Sequence, residues 1–382
     1  MRRWIFGFLA LVLLGGLLCP YARAVDMQLE AKSALLMDVA TGTVLYEQNA
    51  HEALPPASVT KVMTMLLIME AVDSGRIGLQ DAVTASETAA AKGGSQIFLK
   101  AGETMTAADM LKAIAVSSAN DCACAMAEHI AGSEAAFVEM MNRRAGELGM
   151  KDTRFVNCTG LDDGEEAKNH LTSAYDIALM SRQLLSAHPD IKNYTTIWMD
   201  SLRDGKFGLS NTNKMVRFYS GCTGLKTGFT SGAGYCLSAS AQREGMELVA
   251  VVMGCETSQK RFAACKAMLD HGFAAYSLIT PEMPEASVSV NMGVAGSVKA
   301  IPADSSPLLI DKGQKNTVTI HTELEETVTA PVSKGQRLGL LTVKAGEQVL
   351  SQIPLVAEDP VPRLTFGQIF LRLMKQVAMS KD

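Results

Sequence analysis

The chain has 382 residues, 48% of them hydrophobic, and a formal net charge of −5 at neutral pH. This length allows one large domain and a smaller one, and the lack of any basic stripe interleaved with aromatic residues argues against a nucleic acid partner. The spacing of the eight cysteines matches neither a disulfide framework nor a zinc ribbon, so we expect most to be small core residues. The sequence leaves open whether any pair is bridged.

The N-terminal segment predicts export. Arg2-Arg3 precedes an apolar run from Trp4 to Leu18, which is followed by Ala22-Arg23-Ala24, a small-x-small cleavage site. The run is too short for a comfortable membrane span, and no stop-transfer segment follows it. We therefore expect residues 1–24 to be a cleaved signal peptide. Cys19 raises the alternative of a lipoprotein, although Leu18 stands where lipid processing requires a small residue.

The next part of the chain alternates strands and helices. Ser33 to Tyr46 predicts a β-hairpin, and the apolar run from Val59 to Val72, after Pro55-Pro56, predicts a buried helix. Further helices are predicted near residues 107–116, 122–131, 134–148 and 258–276 and from Thr172, with strands at 235–239 and 248–252. Helices between two groups of strands predict an α/β domain over residues 25–280, whose sheet contains both ends of this unit.

The C-terminal part has a different pattern. After a predicted linker at Pro281 to Pro284, short alternating runs at 287–290, 317–320 and 338–343 predict a small all-β domain over residues 285–360. Residues 363–382 predict an amphipathic helix. Its apolar face would contain Phe366, Ile369, Phe370, Leu373, Met374 and Val377. This helix could pack on the β domain or lie in a membrane interface.

Ser58 and Lys61 form the first of three segments that can carry chemistry. A serine three residues before a lysine at a helix start places both side chains on one face, about one turn apart. A neutral lysine could accept the serine proton, which requires that burial or a neighbouring cation such as Lys226 lower its pKa. The Ser58 backbone N–H could face a developing oxyanion. The alternative is a serine N-cap with an exposed lysine.

The other two segments are Ser118-Ala119-Asn120 and Lys226-Thr227-Gly228. In the first, which connects two predicted helices, a hydroxyl could relay a proton and an amide could hold a substrate carbonyl; the alternative is a helix cap. In the second, which opens a predicted strand hairpin, glycine would let a substrate backbone approach, while Lys226 and Thr227 could bind a carboxylate. The alternative here is a turn with an exposed lysine.

The three segments in this order resemble the penicilloyl-serine transferase superfamily of penicillin-binding proteins and serine β-lactamases. The residues around them are similar to the low-molecular-mass D-alanyl-D-alanine carboxypeptidases. This similarity rests on the segments at 55–64, 157–161, 170–176 and 224–230. The resemblance implies an α/β (α+β) transpeptidase-like domain followed by a small β domain and a C-terminal amphipathic helix.

The resemblance also implies a role for each site residue. Ser58 would be the acylated nucleophile, Lys61 its general base and Ser118 part of the proton relay. The substrate-binding residues would be Asn120, Lys226, Thr227, Gly228, Phe229 and Arg261, and the backbone N–H groups of Ser58 and Phe229 would form the oxyanion hole. Arg261 is the best-placed candidate for an arginine that assists carboxylate binding, with an exposed helix arginine as the alternative.

The implied function is removal of the terminal D-alanine from peptidoglycan stem peptides, in the cell wall space at the outer face of the cytoplasmic membrane. β-Lactams would acylate Ser58, and the terminal helix would be a peripheral membrane anchor. We expect no cofactor and no metal site, because the six histidines, His170 included, lie in unrelated settings. The alternatives are a serine β-lactamase, for which Glu165 and Glu166 lack the E-x-x-L-N context of class A enzymes, and an inert wall-binding protein.

Overall fold

A five-stranded antiparallel sheet forms the centre of the larger part of the molecule. The computed structural model describes residues 27–379, so the predicted signal peptide lies outside the described residues. The sheet has the order β2-β1-β9-β8-β7. Its strands are β1 (Ser33–Asp38), β2 (Val44–Gln48), β7 (Cys222–Thr230), β8 (Gly234–Arg243) and β9 (Met246–Cys255). Both ends of this unit enter one sheet, as the sequence predicts.

Two further strand pairs and nine helices complete this part. The pairs are β3 (Ala82–Thr84) with β4 (Thr104–Thr106) and β5 (Met199–Leu202) with β6 (Phe207–Ser210). The helices are α1 (Lys61–Asp73), α2 (Glu87–Ala90), α3 (Ala107–Ser117), α4 (Asn120–Ala131), α5 (Glu134–Glu147), α6 (Ala174–Ala187), α7 (Lys192–Thr195), α8 (Met215–Phe218) and α9 (Ser258–Ala275). They cover both faces of the sheet, which confirms the predicted α/β architecture.

The sheet is buried on both faces, which explains the continuous apolar runs of its strands. In β1, Leu35 and Met37 face the core that contains α1, whereas Ala34 and Leu36 face the core that contains α9. Helix α1 is buried on nearly every side, as its run of methionines and leucines predicts. All seven cysteines in the described part of the chain are free, and six of them are buried.

The small C-terminal domain is an open β structure around an apolar core of its own. Its strands are β11 (Ala286–Asn291), β12 (Ser297–Pro302), β13 (Leu308–Asp311), β14 (Val318–Leu324), β15 (Thr327–Thr329), β16 (Arg337–Ala345) and β17 (Gln348–Ala357). Six of them form one sheet in the order β14-β16-β17-β12-β11-β15. The three predicted runs fall in β11, β14 and β16, while the other strands escaped prediction.

A separate strand pair bridges the predicted linker. Strand β10 (Tyr276–Ile279) begins where α9 ends, and it pairs antiparallel with β13 from the far side of the predicted linker. Lys312 adds a hydrogen bond from its Nζ to the Phe273 carbonyl, at 3.1 Å. The chain on the two sides of the predicted linker is therefore held together by backbone pairing as well as by its covalent connection.

The terminal helix α10 (Phe366–Met379) leaves its apolar side open. Phe366, Phe370 and Leu373 are 85%, 55% and 57% exposed. Its contact with the small domain is polar, because the Arg372 guanidinium donates hydrogen bonds to the carbonyls of Gly293 and Val294 at 3.3 and 2.7 Å. None of the helices between residues 27 and 379 combines the length and apolar character needed to cross a bilayer.

Candidate active site

Ser58 lies in a single 3₁₀ turn, Ala57–Thr60, that leads directly into α1. Lys61 is fully buried, and its Nζ lies 3.0 Å from Ser58 Oγ and 2.8 Å from the carbonyl oxygen of Thr159. The Ser58 side chain caps neither the turn nor the helix. The alternative of a capping serine beside an exposed lysine is therefore wrong.

The environment of Lys61 favours the neutral amine. Burial lowers the pKa of Lys61 from its ordinary value to about 7, against the opposing influence of Cys158 and Asp121. Burial first, and then the charges of Lys61 and Arg261, lower the pKa of Lys226 well below its ordinary value. A lysine with a pKa near neutrality can act as a base toward the serine hydroxyl that it contacts.

Ser118 and Asn120 stand at the junction of α3 and α4. Ser118 has a left-handed backbone, with φ of 65°, and ends α3, whereas Asn120 is the first residue of α4 and not part of the connection as predicted. Asn120 Nδ2 donates to the Gly93 carbonyl at 2.8 Å. Neither side chain caps α4, which begins after Ala119 without a side-chain hydrogen bond. The cap interpretation is therefore wrong for both residues.

The third segment lies in the middle of β7, the edge strand of the central sheet and the first strand of the predicted hairpin with β8. Lys226 is 1% exposed, and its Nζ donates to the Thr227 carbonyl at 3.0 Å. The Thr227 hydroxyl donates to Thr212 Oγ1 at 2.7 Å. An exposed lysine in a turn is therefore excluded.

Gly228 is where β7 meets the turn that carries Ser58. A Cβ atom on Gly228 would lie 2.6 Å from the carbonyl oxygen of Pro56 and 3.1 Å from the backbone nitrogen of Ser58. Only glycine permits this approach. The next residue, Phe229, has a ring that is 52% exposed and packs on Tyr235 with 4.3 Å between ring centroids.

Arg261 is buried behind β7 and is not an exposed helix arginine. It is 7% exposed, and its Nη1 donates to the carbonyls of Gly228 and Cys236 at 2.9 and 3.3 Å. The guanidinium carbon lies 5.2 Å from the centroid of the Tyr235 ring. Arg261 therefore braces the strand that carries Lys226 and Thr227, as well as bringing a cation to it.

Three atoms of these side chains are buried without a hydrogen-bond partner among the described residues: Ser118 Oγ, Asn120 Oδ1 and Arg261 Nε. Buried polar atoms almost always make a hydrogen bond, so each of these three unsatisfied atoms requires an explanation. Their concentration on residues singled out from the sequence fits a site built to take a polar ligand.

Comparison with known proteins identifies the family. Residues 21–257 match the profile of the D-alanyl-D-alanine carboxypeptidases, and residues 275–363 match that of the C-terminal domain of penicillin-binding protein 5. The chain belongs to the D-alanyl-D-alanine carboxypeptidase family. This result confirms the resemblance drawn from the sequence, for the family and for the fold of both domains.

Individual carboxypeptidases and penicillin-binding proteins align over most of the chain. The D-alanyl-D-alanine carboxypeptidase DacF of Bacillus subtilis is 43% identical, covering 92% of this chain and 91% of its own. Penicillin-binding protein 5 of Haemophilus influenzae superposes with a TM-score of 0.75 at 30% identity, over 89% of this chain and all of its own. Penicillin-binding protein D2 of Listeria monocytogenes, solved with bound ampicillin, has a TM-score of 0.59 at 32% identity, over 65% of this chain and 100% of its own.

This carboxypeptidase-family site also depends on a loop to which the sequence analysis gave no role. The loop spans residues 157–160, and we call it the Thr159 loop because its Thr159 carbonyl accepts the hydrogen bond from Lys61. Asn157 Oδ1 shapes the loop by accepting the N–H groups of Thr159 and Gly160 at 3.1 and 2.7 Å. The signal for this role was the Asn157 to Leu161 segment, but the functional atom belongs to the backbone and residue types do not reveal it.

Asp121 is a second supporting residue that the sequence analysis missed. Its fully buried carboxylate accepts the N–H groups of Ile97 and Leu99 at 3.1 and 3.0 Å, and that of Cys122 at 2.9 Å. It thereby fastens the segment before β4 to the start of α4, beside Asn120. The only signal in the sequence was its position directly after Ser118-Ala119-Asn120.

Proposed function

We propose that this family member is a serine-type D-alanyl-D-alanine carboxypeptidase that removes the terminal D-alanine of peptidoglycan stem peptides through a Ser58 acyl-enzyme. One observation carries the proposal: Ser58 Oγ lies 3.0 Å from the amine of a fully buried Lys61. Burial lowers the pKa of that amine to about 7. Ser58 thus has a base at hydrogen-bond distance that is neutral in a large fraction of molecules at neutral pH.

In the first step, the end of the stem peptide lies along the open edge of β7, with its terminal carboxylate toward Thr227, the Lys226 amine and the Arg261 guanidinium. Lys61 takes the Ser58 proton as Oγ attacks the carbonyl carbon of the penultimate residue. The backbone N–H groups of Ser58 and Phe229 stabilise the oxyanion. When the peptide bond breaks, the proton passes by way of Ser118 to the leaving amine of D-alanine.

In the second step, water hydrolyses the Ser58 ester. The same lysine takes a proton from the attacking water, and the proton returns to Ser58 Oγ as the ester bond breaks. The product is the stem peptide shortened by one residue, with free enzyme regenerated. The oxyanion donors and Asn120 hold the acyl group during this step.

Penicillins would stop the cycle at the acyl-enzyme. Attack of Ser58 on the β-lactam carbonyl breaks the ring amide, but the leaving nitrogen stays tethered to the acyl group. Glu165, a candidate for β-lactamase-like deacylation, has an 87% exposed side chain and pairs with Lys168 at 2.5 Å. Glu166 is also exposed. This arrangement supports a long-lived adduct and favours a carboxypeptidase over a β-lactamase.

Intact-mass spectrometry after benzylpenicillin treatment tests the proposal. We expect one covalent adduct per chain, absent in Ser58→Ala, together with release of D-alanine from a synthetic peptide ending in D-Ala-D-Ala. Rapid turnover of penicillin with no lasting adduct would favour a β-lactamase instead. A chain that forms no adduct and releases no D-alanine would be an inert wall-binding protein, and the proposal would be wrong.

We further propose that the enzyme acts outside the cytoplasmic membrane and that α10 attaches it to the outer face of that membrane. In this arrangement residues 25–280 form the catalytic unit, 285–360 the small domain and 363–382 the anchor. The exposed apolar side of α10 supports the anchor, as does Arg372, which contacts the small domain from the polar side of the helix.

Sedimentation with lipid vesicles tests the anchor. We expect the full mature chain to sediment with the vesicles and a chain ending near Pro360 to stay in solution. Phe370→Glu should weaken sedimentation because it places a carboxylate on the apolar side. Gln368→Glu adds the same charge on the polar side and serves as the matched control. Equal sedimentation of all four proteins would place the attachment elsewhere.

A further inference from the structure

We propose that His170 and Thr60 form a clamp that positions the backbone in front of Ser58 for acylation. The inference rests on the proposed function, because it concerns how the same nucleophile is held. Thr60 lies in the turn Ala57–Thr60, here called the Ser58 turn, and His170 lies just before α6. Neither side chain hydrogen-bonds to Ser58 Oγ or to Lys61 Nζ within the described residues, so each would be a positioning residue.

The Ser58 turn needs such a clamp because of its backbone conformation. Ala57, the residue before the nucleophile, has a φ of 49°, in the left-handed region that alanine rarely adopts. Conformations of this kind persist only where the surroundings hold them, and they concentrate at functional sites. The Ala57 peptide also fixes where the Ser58 N–H points, which matters for an oxyanion donor.

A directional chain of hydrogen bonds reaches the Ala57 carbonyl. The Val156 N–H donates to His170 Nδ1 at 3.1 Å, so the proton of the neutral ring is on Nε2. Nε2 lies 2.8 Å from Thr60 Oγ1 and therefore donates to it. The Thr60 hydroxyl in turn donates to the carbonyl oxygen of Ala57 at 2.8 Å. Each donor and acceptor in the chain has one role, which leaves the Ala57 carbonyl little freedom.

His170 is suited to hold this arrangement at working pH. It is 3% exposed, with its ring 5.7 Å from that of Phe155, and Thr60 is fully buried. Burial, and then the charge of Lys61, lower the pKa of His170 to about 4. The ring therefore stays neutral, and it can accept from Val156 while donating to Thr60.

The Thr159 loop locks the same carbonyl from the other side. Gly160 has a φ of +81°, and a Cβ there would lie 1.9 Å from the Ala57 carbonyl oxygen and 2.7 Å from Thr60 Oγ1. The neighbouring Thr159 carbonyl holds Lys61 Nζ. The Thr159 loop thus contacts both the backbone before Ser58 and the amine of Lys61. Loosening the clamp would therefore change the position of Ser58 relative to Lys61.

Matched threonine variants test the clamp. Thr60→Val keeps the side-chain shape but removes the hydroxyl, whereas Thr60→Ser keeps the hydroxyl. Tyr219→Phe is the control, because it also removes one hydroxyl without changing the side-chain shape, and Tyr219 is buried in the core that contains α9, where its hydroxyl donates to Asp270 Oδ1 at 2.8 Å. For each protein, stopped-flow measurements with a chromogenic cephalosporin separate the acylation rate constant from the dissociation constant of the non-covalent complex, and calorimetry gives Tm.

We expect Thr60→Val to slow acylation by about 30-fold, since small misplacements of reacting groups are costly, with the dissociation constant changed less than about 3-fold. Thr60→Ser should acylate within about 3-fold of wild type. Tyr219→Phe should lower Tm as Thr60→Val does, yet acylate within about 3-fold of wild type. In His170→Gln, which can still donate to Thr60, acylation should be faster than in His170→Leu.

The outcomes separate the two proposals. If wild type and every variant lack an adduct, the proposed function is wrong, and the clamp with it. If wild type is acylated but Thr60→Val acylates equally fast, or slows no more than Tyr219→Phe, the clamp alone is wrong. If Thr60→Val does not fold, the difference between His170→Gln and His170→Leu decides, and equal acylation rates in those two would overturn the clamp.

Discussion

The two domains bury very different side chains. The larger one buries ionisable side chains that form no ion pair within the described part of the chain, among them Lys61, Lys226 and Arg261. The small domain has a core of aliphatic residues, and Thr342 is the one buried polar side chain among its described residues, 285–363. Both domains need apolar cores to fold, but only the larger one also buries ionisable side chains, whose burial opposes folding.

This contrast locates the chemistry of the molecule. Burying an amine without a partner carboxylate costs free energy and shifts the pKa of the group toward its neutral form. Groups held in this way tend to mark functional sites. The small domain buries no charged side chain among its described residues. The comparison predicts that substitutions at the buried site of the larger domain mainly lower activity, whereas substitutions in the small domain mainly lower stability.

The largest effect is expected from Lys61→Met. Methionine fills a similar volume but cannot accept the Ser58 proton. The acylation rate constant should therefore fall by about 10²–10⁴-fold, the usual contribution of a general base. The melting temperature should hold or rise, because a buried amine is replaced by an apolar group. Stopped-flow acylation and calorimetry on the same protein measure both quantities. A loss of activity accompanied by a large drop in Tm would mean that Lys61 is mainly structural.

Gly228→Ala comes next. Its Cβ would lie 2.6 Å from the Pro56 carbonyl oxygen, so β7 must move away from the turn that carries Ser58. Displacement on this scale should slow acylation about 100-fold. Gly313→Ala is the control, since that position has no atom within 4 Å of an added Cβ, and it should acylate at the wild-type rate. Equal rates for both variants would show that the close approach of β7 is not needed.

The pH dependence of acylation should follow Lys61. The reactive form is the neutral amine, and burial lowers its pKa to about 7, so the rate should rise with pH through that value. Between about pH 6 and pH 8 the neutral fraction grows roughly tenfold. A rate profile measured with a neutral-pH buffer series checks this. A flat profile, or a rate that falls with increasing pH, would contradict the assignment of Lys61 as the base.

The smallest effect on catalysis is expected in the small domain. In Gly339→Ala the new Cβ would lie 2.1 Å from the Glu323 carbonyl oxygen, so β14 and β16 must separate. Overpacking of this kind costs about 1–3 kcal/mol of stability. We expect a lower melting temperature but an acylation rate within about twofold of wild type. A tenfold slower acylation would show that the two domains are coupled and that the contrast between them is incomplete.

Local patterns in the sequence were enough to predict the elements nearest the active site. The hairpin β1–β2 and the helix α1 follow from short-range periodicity, and the three motif segments keep their order in the chain. Strand β17 was missed because its polar residues and Pro354 interrupt the alternation that marks a strand. The pairing of β10 with β13 joins segments far apart in the sequence, so no local signal reports it.

At the site, residue types were predictable and their environments were not. Ser58, Lys61 and Lys226 were singled out by spacing, yet only the structure gives the burial that lowers the pKa of both lysines. The roles of the Thr159 carbonyl and of His170 depend on the course of the backbone, which cannot be read from a pattern of residue types. The sequence also left Arg261 open, because a buried and an exposed helix arginine look alike in one chain.

The pairing of β10 with β13 has a mechanical consequence. Hydrogen bonds and Lys312 bridge the predicted linker at Pro281 to Pro284, so the chain on its two sides is held together there. If α10 lies on the membrane as proposed, the small domain would act as a spacer beneath the catalytic unit. The enzyme would then trim stem peptides within one thin layer of the wall, at a depth set by the length of that spacer.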